Sequence, residues 1–332
     1  MSVRESLIKH LSSILRASEG TLLVLLCDQN GLSVAKIGRK TEIELKPNQI
    51  TSLAAAAFSA SEENWEDLEI TEQIISFSFF EKVCLITIRI GKTLLTIVHD
   101  YNKEWPLDAD SLASSMYYLK QKLNEFFDAE PISENEIEEF SNKVRSAIYL
   151  FGMGTDVSFD SYKPEEYNHE NLLPAMSEIL DSIQNPIFIR YGLVGQSGLT
   201  LDAKEVSGEN LPIGIEAFSA NASVTFQKMK EESEGSSLGE LLCYTAISGQ
   251  DAENFYGLIT CPCGKLRFSS EGEESNIQEI SFFGLFSLDY GGIPVMGESR
   301  NIIYSILEII GGDEITEKFI KTVNDLTSVK YE

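Results

Sequence analysis

Histidine is nearly missing from this chain of 332 residues, which has three, at positions 10, 99 and 169. The group most often used to move protons at neutral pH is therefore scarce. None of the three stands near a Gly-x-Ser-x-Gly elbow or beside a cysteine with an activating neighbour. Acid pairs such as Glu62-Glu63 and Glu231-Glu232 read as solvated helix ends. No catalytic residue is expected, and the chain reads as non-catalytic.

Basic residues are scarce as well: 26 Lys+Arg stand against 52 Asp+Glu, a formal net charge of -26. Such a surface repels phosphate backbones and anionic lipid, which excludes nucleic acid and membrane surfaces as partners. It favours a basic protein partner, or serves solubility. No apolar run approaches the roughly 18–20 residues that a membrane-spanning helix needs. The segment Thr21 to Cys27 is far too short. Met1-Ser2-Val3-Arg4 leads directly into an amphipathic pattern with no signal-peptide character. Five cysteines, an odd number without framework spacing, imply reduced thiols and a cytoplasmic location.

Phosphate and metal motifs are incomplete. Gly195-Gln196-Ser197-Gly198-Leu199-Thr200 has the glycines of a phosphate loop but not its lysine, and reads as a hairpin turn. Gly152-Met153-Gly154 lacks the third glycine of a dinucleotide site. Cys261-Pro262-Cys263-Gly264-Lys265 separates its cysteines by one residue rather than two. It has no second pair, and would need Cys243 from another strand to build a tetrahedron. It reads as a strand end turning over. No metal and no cofactor is expected.

What the chain does have is an internal likeness. Leu7 to Leu15, Leu22 to Cys27 and Asp28-Gln29-Asn30-Gly31-Leu32 follow one another in the first half. Leu172 to Leu180, Ile187 to Val194 and Gly195-Gln196-Ser197-Gly198-Leu199 follow in the same order in the second. Matched order across a helix, a strand and a turn marks a repeat.

In the first half, Leu7, Leu11, Ile14 and Leu15 give an opening helix over 3–18 that Glu19-Gly20 ends. Leu22 to Leu26 is a buried strand. Asp28 to Gly31 is a hairpin turn whose Asn-Gly pair accommodates positive φ, and 32–37 is the returning strand. Pro47 opens a second helix with Ile50, Leu53, Ala54, Ala57, Phe58, Ser61 and Trp65 on one stripe. Strands follow at 73–80, 83–90 and 93–99, then a helix over 108–127 capped by Asp108 or Asp110. The order α-β-β-α-β-β-β-α predicts an α+β fold: a five-stranded antiparallel sheet with helices on both faces.

The second half repeats the plan over 170–326. It is expected to have helices at 170–184, 211–232, 299–310 and 313–326, and a hairpin over 187–206. Strands are expected near 238–247, 254–261, 264–270 and 277–289, the middle pair being two strands or one long bent one. Between the halves, 128–169 is an acidic linker with one amphipathic helix over 134–151, carrying Ile137, Phe140, Val144, Ala147, Ile148 and Phe151. Residues 152–169 read as a flexible linker.

This pattern resembles the roadblock family, the domain of the dynein light chain roadblock and of bacterial and archaeal GTPase partners. The likeness rests on the order of elements over 3–127, the Asp28-Gln29-Asn30-Gly31-Leu32 turn and the alanine-rich helix Leu53 to Phe58. Residues 170–310 resemble it more faintly, with Gly195 in place of the turn aspartate. The resemblance implies pairing through central strands and second helices into one continuous sheet. It also implies binding to a small Ras-like GTPase, or to an assembly containing one, as adaptor or regulator. A tandem copy would form that dimer within one chain, and could associate further.

Independently, the third strand of each half, Gln73 to Phe79 and Glu240 to Ala246, would be a sheet edge poor in charge, and such edges invite pairing. The candidate pairing and partner-binding residues are Leu53, Ala54, Ala57, Phe58, Ile75, Phe77, Ala217, Phe218, Leu242 and Tyr244, with Ala220 easing the helix contact. Arg4, Arg16, Arg39 and Arg89 have no assignable catalytic role. The alternative is a ligand-sensing domain that holds a small metabolite between sheet and helix, with Tyr191, Tyr256 and Phe268 lining the pocket.

Overall fold

A computed structural model describes residues 3–101, 103, 108–127, 131–152, 166–168, 180–181, 188–205, 211–249, 254–268 and 276–289. The first half contains α1 (Val3–Ala17), β1 (Thr21–Asp28), β2 (Ser33–Gly38), α2 (Pro47–Asp67), β3 (Gln73–Phe80), β4 (Cys84–Ile90), β5 (Thr93–His99) and α3 (Ala109–Phe127). Next come α4 (Glu134–Gly152) and β6 (Glu166–Asn168). The second half contributes β7 (Phe188–Gly195), β8 (Thr200–Glu205), α5 (Ile215–Ser233), β9 (Leu241–Gly249), β10 (Asn254–Phe268) and β11 (Asn276–Asp289).

The helix starts are chemically marked. Pro47 stands in the first turn of α2, where its missing N–H is not needed. Asp108 Oδ1 accepts from the N–H groups of Asp110 and Ser111 and so caps α3. Ser133 and Glu136 form a reciprocal capping box at α4: Glu136 N donates to Ser133 Oγ at 3.3 Å and Ser133 N donates back to Glu136 Oε2 at 2.8 Å.

The strands form a single sheet in the order β2-β1-β5-β4-β3-β9-β10-β11-β7-β8, with β6 parallel to β10 off this path. Each half places its hairpin at an outer edge, its fifth strand next, then its fourth, and its third at the junction. Two apolar layers sandwich the sheet. On one side Leu7, Leu11, Leu112, Met116, Val144 and Ile148 from α1, α3 and α4 pack against Val24, Ile86, Ile97 and Phe282. On the other, Ile50, Ala57 and Trp65 of α2 and Phe218, Phe226 and Met229 of α5 pack against Leu25, Leu85, Tyr244 and Phe283. The α4 helix is docked by Ser141, whose Oγ donates to the Ala113 carbonyl of α3 at 2.7 Å.

The two outer hairpins are built alike. Gly31 N donates to Asp28 O at 3.0 Å and Asp28 N to Leu32 O at 3.0 Å; Gly198 N donates to Gly195 O at 2.9 Å and Gly195 N to Leu199 O at 2.8 Å. Gly31 and Gly198 share a φ of +80°. The positive φ lies at the glycine alone: Asn30 does not adopt it, because the loop is a turn closed by one left-handed residue rather than a two-residue mirror turn. Asp28 Oδ1 adds bonds from Asn30 N and Leu32 N that Gly195 cannot copy.

Three expectations change. Residues 254–261 and 264–270 do not form two strands. They are the one strand β10, kinked where its register against β11 slips between Pro262 and Gly264. Cys261 to Gly264 is therefore a bulge, not a strand end turning over. Part of the supposed flexible linker is a strand, because Glu166, Tyr167 and Asn168 find backbone partners at Lys265, Leu266 and Arg267 of the overhanging β10. Finally, α5 starts at Ile215 rather than 211, since Gly214 before it is extended at φ -65°, ψ 157°. Most of the helix expected over 170–184, and all of those over 299–310 and 313–326, lie outside the described residues.

The two hairpin glycines differ in what surrounds them. A Cβ on Gly31 would stand 3.0 Å from Thr51 O and 3.1 Å from Ser52 Cα of α2, whereas on Gly198 the nearest atom is Ala220 Cβ at 3.6 Å. Alanine costs about 1–2 kcal/mol at either site from the left-handed backbone alone. Gly31→Ala is expected to lower the urea unfolding midpoint further than Gly198→Ala, followed by circular dichroism. Equal losses would mean that the helix contact contributes nothing.

Candidate protein-docking face

The junction between the halves is the antiparallel pairing of β3 with β9: Gln73 faces Ser248, Ile75 faces Ile247, Ser76 faces Ala246, Phe77 faces Thr245, Ser78 faces Tyr244, Phe79 faces Cys243 and Phe80 faces Leu241. The register is its own mirror. Adding 168 to Ile75 gives Cys243 and subtracting 168 from Ile247 gives Phe79, which is another pair of the same ladder. The Gln73–Ser248 pair maps onto Phe80–Leu241 in the same way, and Phe77–Thr245 maps onto itself. The two register slips, which leave Ile74 and Leu242 as extra residues, also stand 168 apart. The helices above follow: buried Thr51, Ala54, Phe58 and Ser61 of α2 correspond at this shift to buried Ser219, Ala222, Phe226 and Met229 of α5.

The bulge at Ile74 has a local consequence. Ile75 and Phe77 point to the α1/α3/α4 side, and strict alternation would send Gln73 with them. The extra residue turns Gln73 towards α2 instead. There Gln73 Oε1 accepts from Ser61 Oγ at 2.7 Å and from Trp65 Nε1 at 3.0 Å. Tyr244, from the other half, donates its hydroxyl to Ser61 Oγ at 2.5 Å. Burial pushes the Tyr244 phenol up to about 12, against the opposing effect of its hydrogen bonds to Ser61, Ser76 and Gln73.

Further polar links cross the same junction. Asn64 Nδ2 donates to Thr225 Oγ1 at 3.3 Å, Thr225 Oγ1 lies 3.3 Å from the Ala60 carbonyl, and Asn221 Nδ2 donates to Asp67 Oδ2 at 3.0 Å. Ser248 donates to the Thr71 carbonyl.

The sequence-derived candidates divide between two environments. Ile75, Phe77, Leu242 and Tyr244 lie on the paired strands, and the Ala57 carbonyl is 3.4 Å from the Tyr244 hydroxyl. Leu53 and Ala54 are buried residues of α2. Phe58 packs on Cys27, Ala55 and Leu94, and Phe218 stacks edge-on against Phe283 at 5.9 Å. Ala217 is exposed, and Ala220 is half-buried near Gly198. The helix contact runs instead through Ala60, Asn64, Asp67, Asn221 and Thr225. The signal that would have found it is polar residues, Ser61 and Asn64 above all, set into an otherwise apolar helical stripe.

Above the junction, α2 and α5 present a low face. Ser52, Ala56, Ser59 and Ala60 of α2 and Ala217, Ala220, Asn221 and Val224 of α5 are exposed or half-buried on it. Glu63, Glu66 and Asp67, and opposite them Glu231 and Glu232, are exposed along its borders. Exposed leucines follow the two hairpin glycines, Leu32 at 69% and Leu199 at 63%, and Val224 is 61% exposed.

The other candidate chemistries find separate places. His10 is half-buried rather than facing solvent, and burial, then Lys122 and Lys9, lowers its pKa. His99 is fully buried, with Nδ1 3.4 Å from Thr21 Oγ1. His169 lies outside the described residues. Arg39 donates to the carbonyls of Glu19 and Leu15, and Arg89 pairs with Glu62 over the Phe58 ring. Tyr191 and Tyr256 lie on opposite faces of the sheet, so they cannot line one pocket. Cys27, Cys84 and Cys243 are buried thiols that form no disulfide among the described residues. Among the described residues no cluster of three or more His, Cys, Asp or Glu could hold a metal ion, and no helix is long and apolar enough to cross a membrane.

The order α-β-β-α-β-β-β-α, a five-stranded antiparallel half-sheet and helices on both faces make this an α+β fold, with the element order that the resemblance to the roadblock family implies. The chain is similar to the gliding protein MglB from Thermus thermophilus, at 17% identity and a TM-score of 0.32, over 38% of this chain and 90% of that one. It is similar to Myxococcus xanthus MglB at 18% identity and a TM-score of 0.30, over 37% and 97%. It is also similar to a Roadblock/LC7 domain from Streptomyces avermitilis, at 16% identity and a TM-score of 0.29, over 36% and 94%. No family model and no curated protein matches the sequence.

The raised Tyr244 pKa has a testable sign. An unfolded tyrosine ionises near 10, while the folded one holds its proton to about 12. Above pH 10 the unfolded state binds fewer protons, so stability falls as pH rises and levels off once pH passes 12. Tyr244→Phe is expected to flatten the stability–pH curve across that window, measured by urea unfolding at pH 8 to 11. At pH 7 it should cost about 1 kcal/mol for the lost hydrogen bond to Ser61.

Proposed function

We propose that this chain is a non-catalytic adaptor or regulator whose two roadblock-like domains, 1–127 and 170–326, joined by the linker 128–169, form an intramolecular pseudo-dimer. In the cytoplasm it docks a small Ras-like GTPase, or an assembly that contains one. The observation that carries this reading is the self-mirroring register of β3 and β9. A pairing that exchanges equivalent residues of two halves is the isologous contact of a symmetric dimer, here built into one polypeptide.

The α2/α5 face is the surface on which the partner sits. Its small side chains admit close approach, Leu32, Leu199 and Val224 supply exposed apolar anchors, and the acidic borders select a basic surround on the partner. If hydrolysis is stimulated, it is by ordering the GTPase's own switch loops. Arg39 and Arg89 are engaged within the chain.

Purified chain mixed with small GTPases in their GDP- and GTP-analogue-bound forms is expected to co-elute with one of them on gel filtration. Leu32→Asp and Val224→Asp should each weaken that complex roughly tenfold while leaving the unfolding midpoint unchanged, since both side chains are largely exposed. Absence of co-elution and of any change in turnover across the GTPases tested would remove the reading. Binding that is insensitive to both variants would move the docking face elsewhere.

A further inference from the structure

A cleft of about 260 Å³ opens on the α2 side of the sheet, where the β1–β2 hairpin, the C-terminal half of α2 and the end of β4 meet. Phe58 and Trp65 form its aromatic wall, and Glu62, Glu66 and Glu72 stand around it. One cation lines it, and that cation is already engaged. The Arg89 guanidinium lies 5.3 Å from the Phe58 ring centroid and is paired with the Glu62 carboxylate. Glu66 and Glu72 are exposed and take part in no ion pair among the described residues.

The local charge is therefore unbalanced, with three carboxylates against one guanidinium. Glu62 registers the imbalance: burial raises its pKa most, Arg89 opposes, and the charges of Glu66 and Glu72 raise it further. A second cation would relieve this repulsion. Arg89 itself demonstrates that the Phe58 wall accepts a guanidinium. The whole chain, at a net charge of -26, attracts basic partners to this surface.

We propose that this cleft seats one basic side chain, arginine or lysine, of a docked protein partner, with its charge between Glu66 and Glu72 and its stem along the aromatic wall. The other half repeats it only in part. At the shift of 168, Phe58, Glu66 and Glu72 recur as Phe226, Glu234 and Glu240, but Trp65 becomes Ser233 and Glu62 becomes Lys230, which pairs with Glu279 of β11. A lysine thus stands where the first half has its innermost carboxylate, and this difference in charge orients one partner molecule on a face that is otherwise nearly two-fold. The inference rests on the protein-docking reading above, but not on the partner being a GTPase.

The test uses the full chain and two probes, the blocked tripeptide acetyl-Gly-Arg-Gly-amide and its uncharged citrulline counterpart, titrated while the Trp65 indole N–H signal is followed by NMR. The arginine peptide is expected to shift that signal saturably and the citrulline peptide to leave it in place. Glu66→Gln/Glu72→Gln should weaken the arginine peptide roughly tenfold, whereas Glu231→Gln/Glu232→Gln, which removes two equally exposed carboxylates elsewhere, should not change it. Equal weakening by both double variants would mean diffuse attraction and overturn the site, as would a silent Trp65 signal. The same variants separate the two claims. A chain that binds the arginine peptide but no GTPase keeps the cleft and loses the GTPase reading; GTPase binding untouched by Glu66→Gln/Glu72→Gln keeps that reading and loses the cleft.

Discussion

The pairing of β3 with β9 is the constraint to which the rest of the molecule answers. Every residue of β3 and of β9 is buried, so neither strand could remain an open edge without leaving buried backbone groups unpaired. Each supplies the other's missing ladder. Because an antiparallel pair of equivalent strands has a two-fold axis, joining them sets α2 beside α5 without further instruction. The hairpins β1–β2 and β7–β8 are carried to opposite ends of one sheet. The face formed by α2 and α5 is thus a product of the junction and belongs to neither half alone.

Apolar strands can slide, since any hydrophobic register buries similar area, and polar groups at the junction penalise the slips. Gln73, Ser61, Trp65 and Tyr244 form a buried set whose Tyr244–Ser61 bond crosses the junction, so a one-residue shift would strand the phenol away from its acceptor. The bulges at Ile74 and Leu242 add geometric pins at both ends of the ladder. Around this fixed centre the halves differ. Asp28 is Gly195, Glu62 is Lys230, which pairs with Glu279 of β11 where Glu62 pairs with Arg89 of β4, and β10 and β11 run to 15 and 14 residues where β4 and β5 have 7 each. The overhang of the long pair is what recruits β6.

The growth of β10 and β11 also explains which parts of the repeat could be read directly. Up to β9 the offset is nearly constant, 167 between the hairpin glycines Gly31 and Gly198 and 168 across the junction, and the likeness is visible residue by residue. Beyond β9 the lengthened strands break the period, and the β10 kink at Cys261 to Gly264 looked like a turn because Pro and Gly punctuate it. Turn chemistry was half legible. The glycine of Asp28-Gln29-Asn30-Gly31 marked a hairpin, but the choice between a mirror turn and a turn with a left-handed closing residue depends on backbone bonds that composition does not encode.

By itself the sequence determined the α-β-β-α-β-β-β-α order, the apolar third strands, the alanine-rich helix and the acidic surface. These follow from periodicity, propensity and charge, which are local or additive properties of the residues. Only the tertiary structure decided that β3 meets β9 in a self-mirroring register, that Gln73 is turned onto α2, and that Asn64 and Thr225 rather than Ala217 join the helices. It alone brought Phe58, Glu62, Glu66, Glu72 and Arg89 around one cleft. Those outcomes depend on bulges and on contacts between residues as far apart as Ala57 and Tyr244, 187 positions, where a side chain's partner is set by the path of the backbone and not by its neighbours in the chain.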